Sequence, residues 1–124
     1  MAAKSFRDLR VWQIAEDFCV EVYSITDMFP KHEVFGLTSQ LRRSIISVPS
    51  NIAEGFGRRF AKEKDQFYHH ALGSLYEADT QLGIARRLGY LEESVYGSAL
   101  ARIDECRSTL LKLIQVNRQK FSNH

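Results

Sequence analysis

The residues best suited to metal or acid–base chemistry in this chain of 124 residues are four histidines and two cysteines. His69 and His70 are adjacent, so on a helix they would point about 100° apart and could not hold one metal ion together. Asp65 precedes His69 by one helical turn, but no third ligand accompanies the pair and no Glu-x-x-His step occurs in the sequence. Cys19 and Cys106 are isolated and are interpreted as small buried apolar residues. The sequence therefore predicts no metal and no cofactor, and the Asp65–His69 pair is expected to face solvent.

The remaining polar residues do not indicate a catalytic site. A serine or cysteine nucleophile needs a neighbouring base that a third group orients, and no glycine-flanked nucleophile occurs here. Residues 51–58 contain Gly55 and Gly57, but no strand is predicted before them and no Gly-Lys-Ser/Thr sequence follows, so they match a phosphate loop poorly. Both glycines are instead expected to end a helix in the left-handed conformation. We expect a protein that is not an enzyme and has no small-molecule substrate.

Charge is unevenly distributed along the chain, although the net charge is only +2. Acidic residues dominate positions 16–33 and basic residues dominate positions 42–64, so one edge should be acidic and another basic. Aromatic residues are interleaved with the later basic ones, and this combination suits phosphate neutralisation and base stacking. The pattern fits either a nucleic-acid-binding rim or a solvated bundle end without a partner. The residues predicted for the rim are Arg42, Arg43, Arg58, Arg59, Lys62 and Lys64.

Four amphipathic helices must position these residues. Apolar side chains recur at helical spacing over about 8–29, 37–54, 62–88 and 93–120. Short links between such helices favour an all-α, antiparallel up-down-up-down four-helix bundle that occupies 1–124 as a single domain. Pro30 should end the first helix and Gly89 the third. Pro49 falls inside the second helix and predicts a kink there, with Ser47, Ser50 and Asn51 available to satisfy the freed backbone groups.

Two helix surfaces extend beyond what one core requires. The apolar arc of the first helix is roughly 180° wide, broader than the ~100° stripe that faces a single core, and this favours assembly. The second helix carries a polar stripe opposite its apolar face. Three polar residues on the third helix could bond to this stripe across an interface: Ser74, Glu77 and Gln81. The stripe fits either a solvated face or a hydrogen-bonding surface for a neighbouring subunit or a nucleic-acid backbone. The predicted interface residues are Trp12, Gln40, Arg43, Asn51, Glu54 and Glu77.

Several short motifs resemble those of one bacterial family, the 23S rRNA-intervening-sequence proteins. They are Val11-Trp12, Phe29-Pro30, Phe35-Gly36-Leu37, Ser39-Gln40-Leu41-Arg42-Arg43, Ser47-Val48-Pro49-Ser50-Asn51-Ile52-Ala53-Glu54-Gly55, Gly73-Ser74-Leu75 and Leu88-Gly89-Tyr90-Leu91. The resemblance covers about residues 6 to 91 and implies a cytoplasmic bacterial homopentamer of four-helix bundles with no known enzymatic activity. Where relatives often have two alanines after the arginine pair, this chain has Ser44-Ile45-Ile46.

These observations favour one hypothesis and leave another open. The first is a non-catalytic, homo-oligomeric scaffold or accessory protein whose basic rim contacts the backbone of RNA or DNA. The alternative is a protein–protein interaction module without nucleic acid. No segment approaches the roughly 20 apolar residues needed to span a bilayer and no signal peptide is recognisable, so we expect a cytoplasmic protein without a membrane partner.

Overall fold

The structure, a computed structural model, describes residues 3–121 and consists of four long helices. Helix α1 spans Arg10–Asp27, α2 spans Leu37–Phe56, α3 spans Ala61–Arg87 and α4 spans Glu93–Gln119. Short 3-10 turns at Phe6–Asp8 and Lys31–Glu33 precede α1 and α2, and no strand occurs within residues 3–121. The predicted all-α bundle is confirmed. None of the helices in the described part of the chain is both long and apolar enough to cross a membrane.

The four helices pack in a ring in chain order. Helix α1 contacts α2 and α4, and α3 contacts the same two helices from the other side. Individual contacts join the end of one helix to the start of the next: Arg42 in α2 bonds to Thr26 in α1, and Arg86 in α3 bonds to Glu93 in α4. Such contacts are those of antiparallel neighbours joined by short links.

One apolar core lies inside the ring, and all four helices contribute to it. Phe18, Ile45, Leu75 and Leu110, one from each helix, are each 0% exposed. Burying a side chain of this size is worth about 1.5–3 kcal/mol relative to leaving it exposed. The predicted apolar spacing therefore identifies the surfaces that hold the bundle together. The apolar face of α1 is buried in the same core, although Val20, on the outer side of that helix, remains 66% exposed.

The glycines at the end of α2 differ from the prediction. Helix α2 continues to Phe56, and Gly57 has a φ of −76°, so neither Gly55 nor Gly57 adopts the left-handed conformation. Gly55 is buried against α3, where a Cβ atom would lie 2.8 Å from Tyr68 Cε1 and 2.9 Å from Phe67 Cβ. Glycine is required there because the two helices approach each other closely, and not because the helix ends.

Gly89 does end α3 in the way predicted. Its φ is 78°, in the left-handed region that favours glycine. The Gly89 N–H donates to the carbonyl of Arg86, and the Tyr90 N–H donates to the carbonyl of Ala85. These two bonds form a Schellman motif, which satisfies carbonyl groups that the end of the helix leaves free.

Pro49 lies within α2, which continues as a helix on both sides of it. Proline has no N–H, so the carbonyl of Ile45 loses its helical donor. That carbonyl accepts a hydrogen bond from the thiol of Cys19 in α1, with an Sγ–O distance of 3.3 Å. Ser50 and Asn51 donate to the carbonyls of Ile46 and Ser47 instead. The expectation that polar residues of the helix itself would satisfy the freed carbonyl was therefore wrong, whereas the kink stays a prediction.

Candidate functional site

Four predicted rim residues lie together at one end of the bundle. Arg58 and Arg59 are in the short link between α2 and α3, and Lys62 and Lys64 are in the first turn of α3. Arg58, Arg59 and Lys62 are exposed, whereas Lys64 is partly buried. We call this group of four residues the basic end. Its position follows from chain order, because a link this short keeps all four residues near the helix ends that it joins.

Three aromatic rings position the charges of the basic end. The guanidinium carbon of Arg58 lies 4.6 Å from the centroid of the Phe67 ring, and that of Arg59 lies 5.4 Å from the centroid of Phe60. Lys64 Nζ lies 5.1 Å from the ring centroid of Phe56. Cation–π contacts of this kind hold a charged group over a ring without removing its charge. The interleaving seen in the sequence therefore corresponds to real contacts.

Lys64 also closes the end of α2 and has a basic neighbour that the sequence did not reveal. Its ammonium group donates to the carbonyl of Phe56. Burial, and then the charge of Lys120, lower the pKa of Lys64 from its ordinary value. Lys120 follows α4 and is distant in the sequence, so only the packing of α4 against α3 brings it to the basic end. Because Lys120 is far from Lys64 in the sequence, nothing in the sequence indicated that the two residues would influence each other.

Arg42 and Arg43 do not lie at the basic end. They lie sixteen positions before Arg58 and Arg59 respectively, which is about 24 Å along a helix at 1.5 Å per residue. Arg42 contacts α1: its Nε donates to Thr26 Oγ1 at 2.8 Å, and a terminal nitrogen lies 2.9 Å from Asp27 Oδ1. The residues predicted as one rim therefore occupy two regions, and Arg42 joins α1 to α2.

The predicted interface residues are distributed over three helices. Trp12 in α1 packs edge-on against the Phe6 ring, with centroids 5.1 Å apart, so its own chain partly covers it. Asn51 is half-buried and donates to the backbone and side-chain oxygens of Ser47, each at 2.8 Å. The other four are exposed on α2 and α3: Gln40, Arg43, Glu54 and Glu77.

Some of the polar side chains where α2 meets α3 are hydrogen-bonded within the same chain. Ser74 Oγ donates to Ser47 Oγ at 2.9 Å, so Ser74 bonds to the polar stripe of α2 within one molecule. Gln81 Oε1 is buried and has no hydrogen-bond partner within residues 3–121. Two apolar side chains lie exposed on the same two helices, Ile46 at 42% and Tyr76 at 47%. We call the exposed polar surface on these two helices, with Gln40, Arg43, Glu54 and Glu77, the α2–α3 face.

A second exposed surface lies between α1 and α4. Val20, 66% exposed, and Val95, 36% exposed, line a groove of about 400 Å³ together with Ile25 and three serines. Arg102 of α4 lies 2.8 Å from Glu21 of α1 beside this groove. We call this surface the α1–α4 groove. Of the wide apolar arc that the sequence predicts for the first helix, Ile25 alone lines the groove, whereas Glu21 and Ser24 belong to the predicted polar side.

The Asp65–His69 pair was expected to face solvent, and the structure corrects this. Arg118 of α4 donates from Nε to Asp65 Oδ1 at 2.9 Å, and its terminal nitrogen lies 3.2 Å from His69 Nε2. The Asp65 side chain is 18% exposed. The pair therefore helps to join α3 to α4. In the part of the chain that the structure describes, no group of three or more His, Cys, Asp or Glu residues could hold a metal ion.

Comparison with known proteins gives one family and one similar fold. A family model described as "23S rRNA-intervening sequence protein" matches residues 7–112. No curated protein matches the chain. A crystal structure of a protein with unknown function from the S23 ribosomal protein family, from Bacteroides thetaiotaomicron, is 21% identical with a TM-score of 0.78, and the match covers 84% of this chain and 97% of that one. At this identity the similarity to the crystal structure shows a shared fold alone.

Proposed function

The chain belongs to the 23S rRNA-intervening sequence protein family, and from that premise we propose that it is a non-catalytic, homo-oligomeric scaffold of the bacterial cytoplasm that binds the backbone of RNA or DNA. The observation that carries the proposal is the basic end, where Arg58, Arg59, Lys62 and Lys64 lie together among aromatic rings. Neither the family description nor that of the similar crystal structure names a catalytic activity.

The chemistry of the basic end suits phosphate more than base edges. Arginine presents a planar set of donors that pairs with two phosphate oxygens, and lysine adds a compact point charge. Phe60 is 58% exposed beside Arg59, so an unpaired base could stack on it. Such contacts are tolerant of sequence and sensitive to salt, because they replace counterions along the backbone.

Fluorescence anisotropy with labelled single-stranded RNA, single-stranded DNA and duplex DNA tests this binding. The triple variant Arg58→Gln/Arg59→Gln/Lys62→Gln should bind single strands at least about tenfold more weakly at low salt. The slope of log K against log salt should fall by about 2, since each lost phosphate contact removes about 0.7 for single strands. The matched control is Lys31→Gln/Arg87→Gln/Lys112→Gln, which removes the same charge from exposed positions outside the basic end.

Two outcomes would count against nucleic-acid binding at this site. If the control triple weakens binding as much as the basic-end triple, only net charge matters. If no RNA or DNA binds at micromolar protein and low salt, the nucleic-acid half of the proposal should be dropped.

The homo-oligomer that we propose is a closed ring, with five subunits as the expected number. A closed ring other than a dimer needs two different surfaces on each subunit, one for each neighbour. The bundle carries two such surfaces on opposite pairs of helices, the α2–α3 face and the α1–α4 groove. We propose that the α2–α3 face of one subunit packs against the α1–α4 groove of the next.

Light scattering coupled to size-exclusion chromatography tests this arrangement. The wild type should elute with the mass of five 14.3-kDa chains. Arg43→Glu reverses a charge in the α2–α3 face, Val20→Arg places one in the α1–α4 groove, and each should give monomers. An equimolar mixture of the two variants retains one intact pair of surfaces and should form a heterodimer. A monomeric wild type, or a mixture that stays monomeric, would contradict head-to-tail assembly.

An interaction module without nucleic acid remains the second candidate, and one feature favours it. Phe35 is 96% exposed in the link between α1 and α2, and the neighbouring Val34 and Met28 are 50% and 79% exposed. A solvent-facing phenylalanine of this kind suits a pocket on another protein. A partner that survives nuclease treatment in a pull-down and is lost with Phe35→Ser would favour this function.

A further inference from the structure

A cavity of about 320 Å³ opens at the same end of the bundle as the basic end. Residues from all four helix ends line it, and Leu9, Phe56 and Leu113 supply apolar wall. Its volume is near the lower limit of small-molecule pockets, which begin at about 300 Å³. Of the four residues of the basic end, Lys64 alone is among the residues that line this cavity.

Two polar side chains that line the cavity each keep an oxygen without a hydrogen-bond partner in the described part of the chain. Tyr68 is 2% exposed, and its phenolic oxygen has no hydrogen-bond partner among residues 3–121. Burial raises the pKa of Tyr68 to about 12, so the phenol keeps its proton and can donate. Asn117 is 4% exposed and donates from Nδ2 to the Ala61 carbonyl at 2.8 Å. Its Oδ1 atom accepts no hydrogen bond from the described part of the chain, so a donor and an acceptor are both available to a molecule in the cavity.

Two lysines also line the cavity: Lys64 is partly buried and its ammonium group donates to the Phe56 carbonyl, whereas Lys120 is exposed. The charge of Lys120 is one cause of the lowered pKa of Lys64. Like charges repel each other, and a bound anion would relieve the repulsion. An apolar wall, a hydrogen-bond donor and acceptor, and two cations together define the chemistry of a ligand.

We propose that the cavity binds a small organic anion, an aryl carboxylate or aryl phosphate with a hydroxyl group at its far end. The anionic group lies between Lys64 and Lys120, the ring lies against Leu9, Phe56 and Leu113, and the hydroxyl exchanges hydrogen bonds with Tyr68 and Asn117. The inference does not rest on nucleic-acid binding, because it requires only one small molecule.

A charge-matched ligand series tests the proposal by NMR titration of the ¹⁵N-labelled protein without nucleic acid. The probes are 3-(4-hydroxyphenyl)propionate, the cation tyramine, the neutral 4-ethylphenol and acetate. The first should shift the amide resonances of Leu113, Val116 and Asn117 and bind at least about tenfold more tightly than tyramine, since the two differ chiefly in the sign of their charge. Acetate, without a ring, should cause no shift at these positions. Adding phenyl phosphate shows whether the favoured anion is a carboxylate or a phosphate.

Two variants separate a site from general attraction to a basic surface. Lys120→Gln should weaken 3-(4-hydroxyphenyl)propionate at least about threefold and leave 4-ethylphenol unchanged, whereas Lys112→Gln, on the exposed surface of α4 and outside the cavity, should change neither. Tyr68→Phe keeps the ring and the Asn117 acceptor, and should reduce the preference for the hydroxylated probe over 3-phenylpropionate. Absence of binding at millimolar probe, equal binding of anion and cation, or equal effects of Lys120→Gln and Lys112→Gln would each overturn the proposal.

Discussion

At the scale of single residues, the thiol of Cys19 performs a role that its isolation in the sequence did not suggest. It donates to the Ile45 carbonyl that Pro49 leaves free, across the contact between α1 and α2. Burial, and then the charge of Glu16, raise the pKa of Cys19 to about 12, so the thiol retains the proton that it donates. The contributions of Pro49 and Cys19 to the free energy of unfolding should therefore depend on each other.

A double-mutant cycle measures this coupling. Cys19→Ala should destabilise the protein by about 1–3 kcal/mol, because it removes buried volume and leaves a carbonyl without a donor. In a Pro49→Ala background the alanine N–H can bond to the Ile45 carbonyl, so the effect of the same Cys19→Ala change should be smaller by about 0.5–1 kcal/mol. Urea unfolding of the four proteins gives the cycle, and equal effects in both backgrounds would show that the thiol does not replace the missing helical bond.

Glu33 is a second residue whose role depends on its surroundings. One oxygen accepts the Leu37 N–H at 3.0 Å at the start of α2, and the other accepts the Tyr90 hydroxyl at 2.8 Å. Gly36 leaves room for this carboxylate, since a Cβ atom there would lie 2.6 Å from Glu33 Oε1. The backbone bond from Leu37, followed by the bond from Tyr90, lowers the pKa of Glu33 from its ordinary value.

The lowered pKa predicts a pH dependence of stability. A carboxylate whose folded pKa lies below its unfolded value stabilises the protein above that unfolded value, 4.5, and loses this contribution as the pH falls through the folded pKa. Glu33→Gln should therefore lower Tm at neutral pH, and the gap to the wild type should narrow below pH 4.5. Tyr90→Phe keeps the Leu37 bond and should lower Tm less. Thermal melts of the three proteins across this pH range measure these differences in Tm. A Tm difference between Glu33→Gln and the wild type that widens in acid would contradict the prediction.

At the scale of the helices, local patterns were sufficient to predict the elements but not their partners. Apolar spacing, Pro30 and Gly89 indicated four helices, and each begins and ends within two residues of its predicted position. These signals act within a few turns of chain. The tight approach at Gly55, the Cys19 bond and the contact of Arg42 with α1 each depend on a second helix, and one sequence does not state which positions will meet.

The candidate site also combines local features, which the sequence predicted, with features that depend on how the helices pack. The grouping of Arg58 to Lys64 was predictable because it is local in the sequence. The separation of Arg42 and Arg43, and the arrival of Lys120, were not predictable because they follow from the bundle geometry. The Tyr68 cavity gave no signal either, since its lining comes from the ends of different helices.

Two helical glycines should respond in opposite directions to the same substitution. Gly55→Ala places a methyl group within 3 Å of Tyr68 and Phe67 and should destabilise by about 1–3 kcal/mol. Gly97 in α4 is exposed, and among residues 3–121 no side chain or neighbouring helix comes within 4 Å of the place where a Cβ atom would lie. Gly97→Ala should therefore stabilise by about 0.5–1 kcal/mol through helix propensity. Urea unfolding measures both changes. Destabilisation by Gly97→Ala equal to that by Gly55→Ala would mean that close packing is not what distinguishes them.

At the scale of the whole molecule, the two ends of the bundle differ in character. One end carries the basic residues and Lys120, and the other carries the exposed Phe35, Val34 and Met28. In a cyclic assembly whose axis runs along the helices, all basic ends would lie on one side of the ring. Several weak phosphate contacts could then act together on one strand, which raises affinity without any new contact.

Binding of nucleic acid at the basic end can be measured by lysine acetylation with and without single-stranded RNA, quantified by mass spectrometry. We expect RNA to protect Lys62 at the basic end, while Lys31 at the opposite end and Lys112 on the outer surface of α4 are modified equally in both samples. Protection of Lys31 or Lys112, or no change at Lys62 under conditions where RNA is bound, would contradict it.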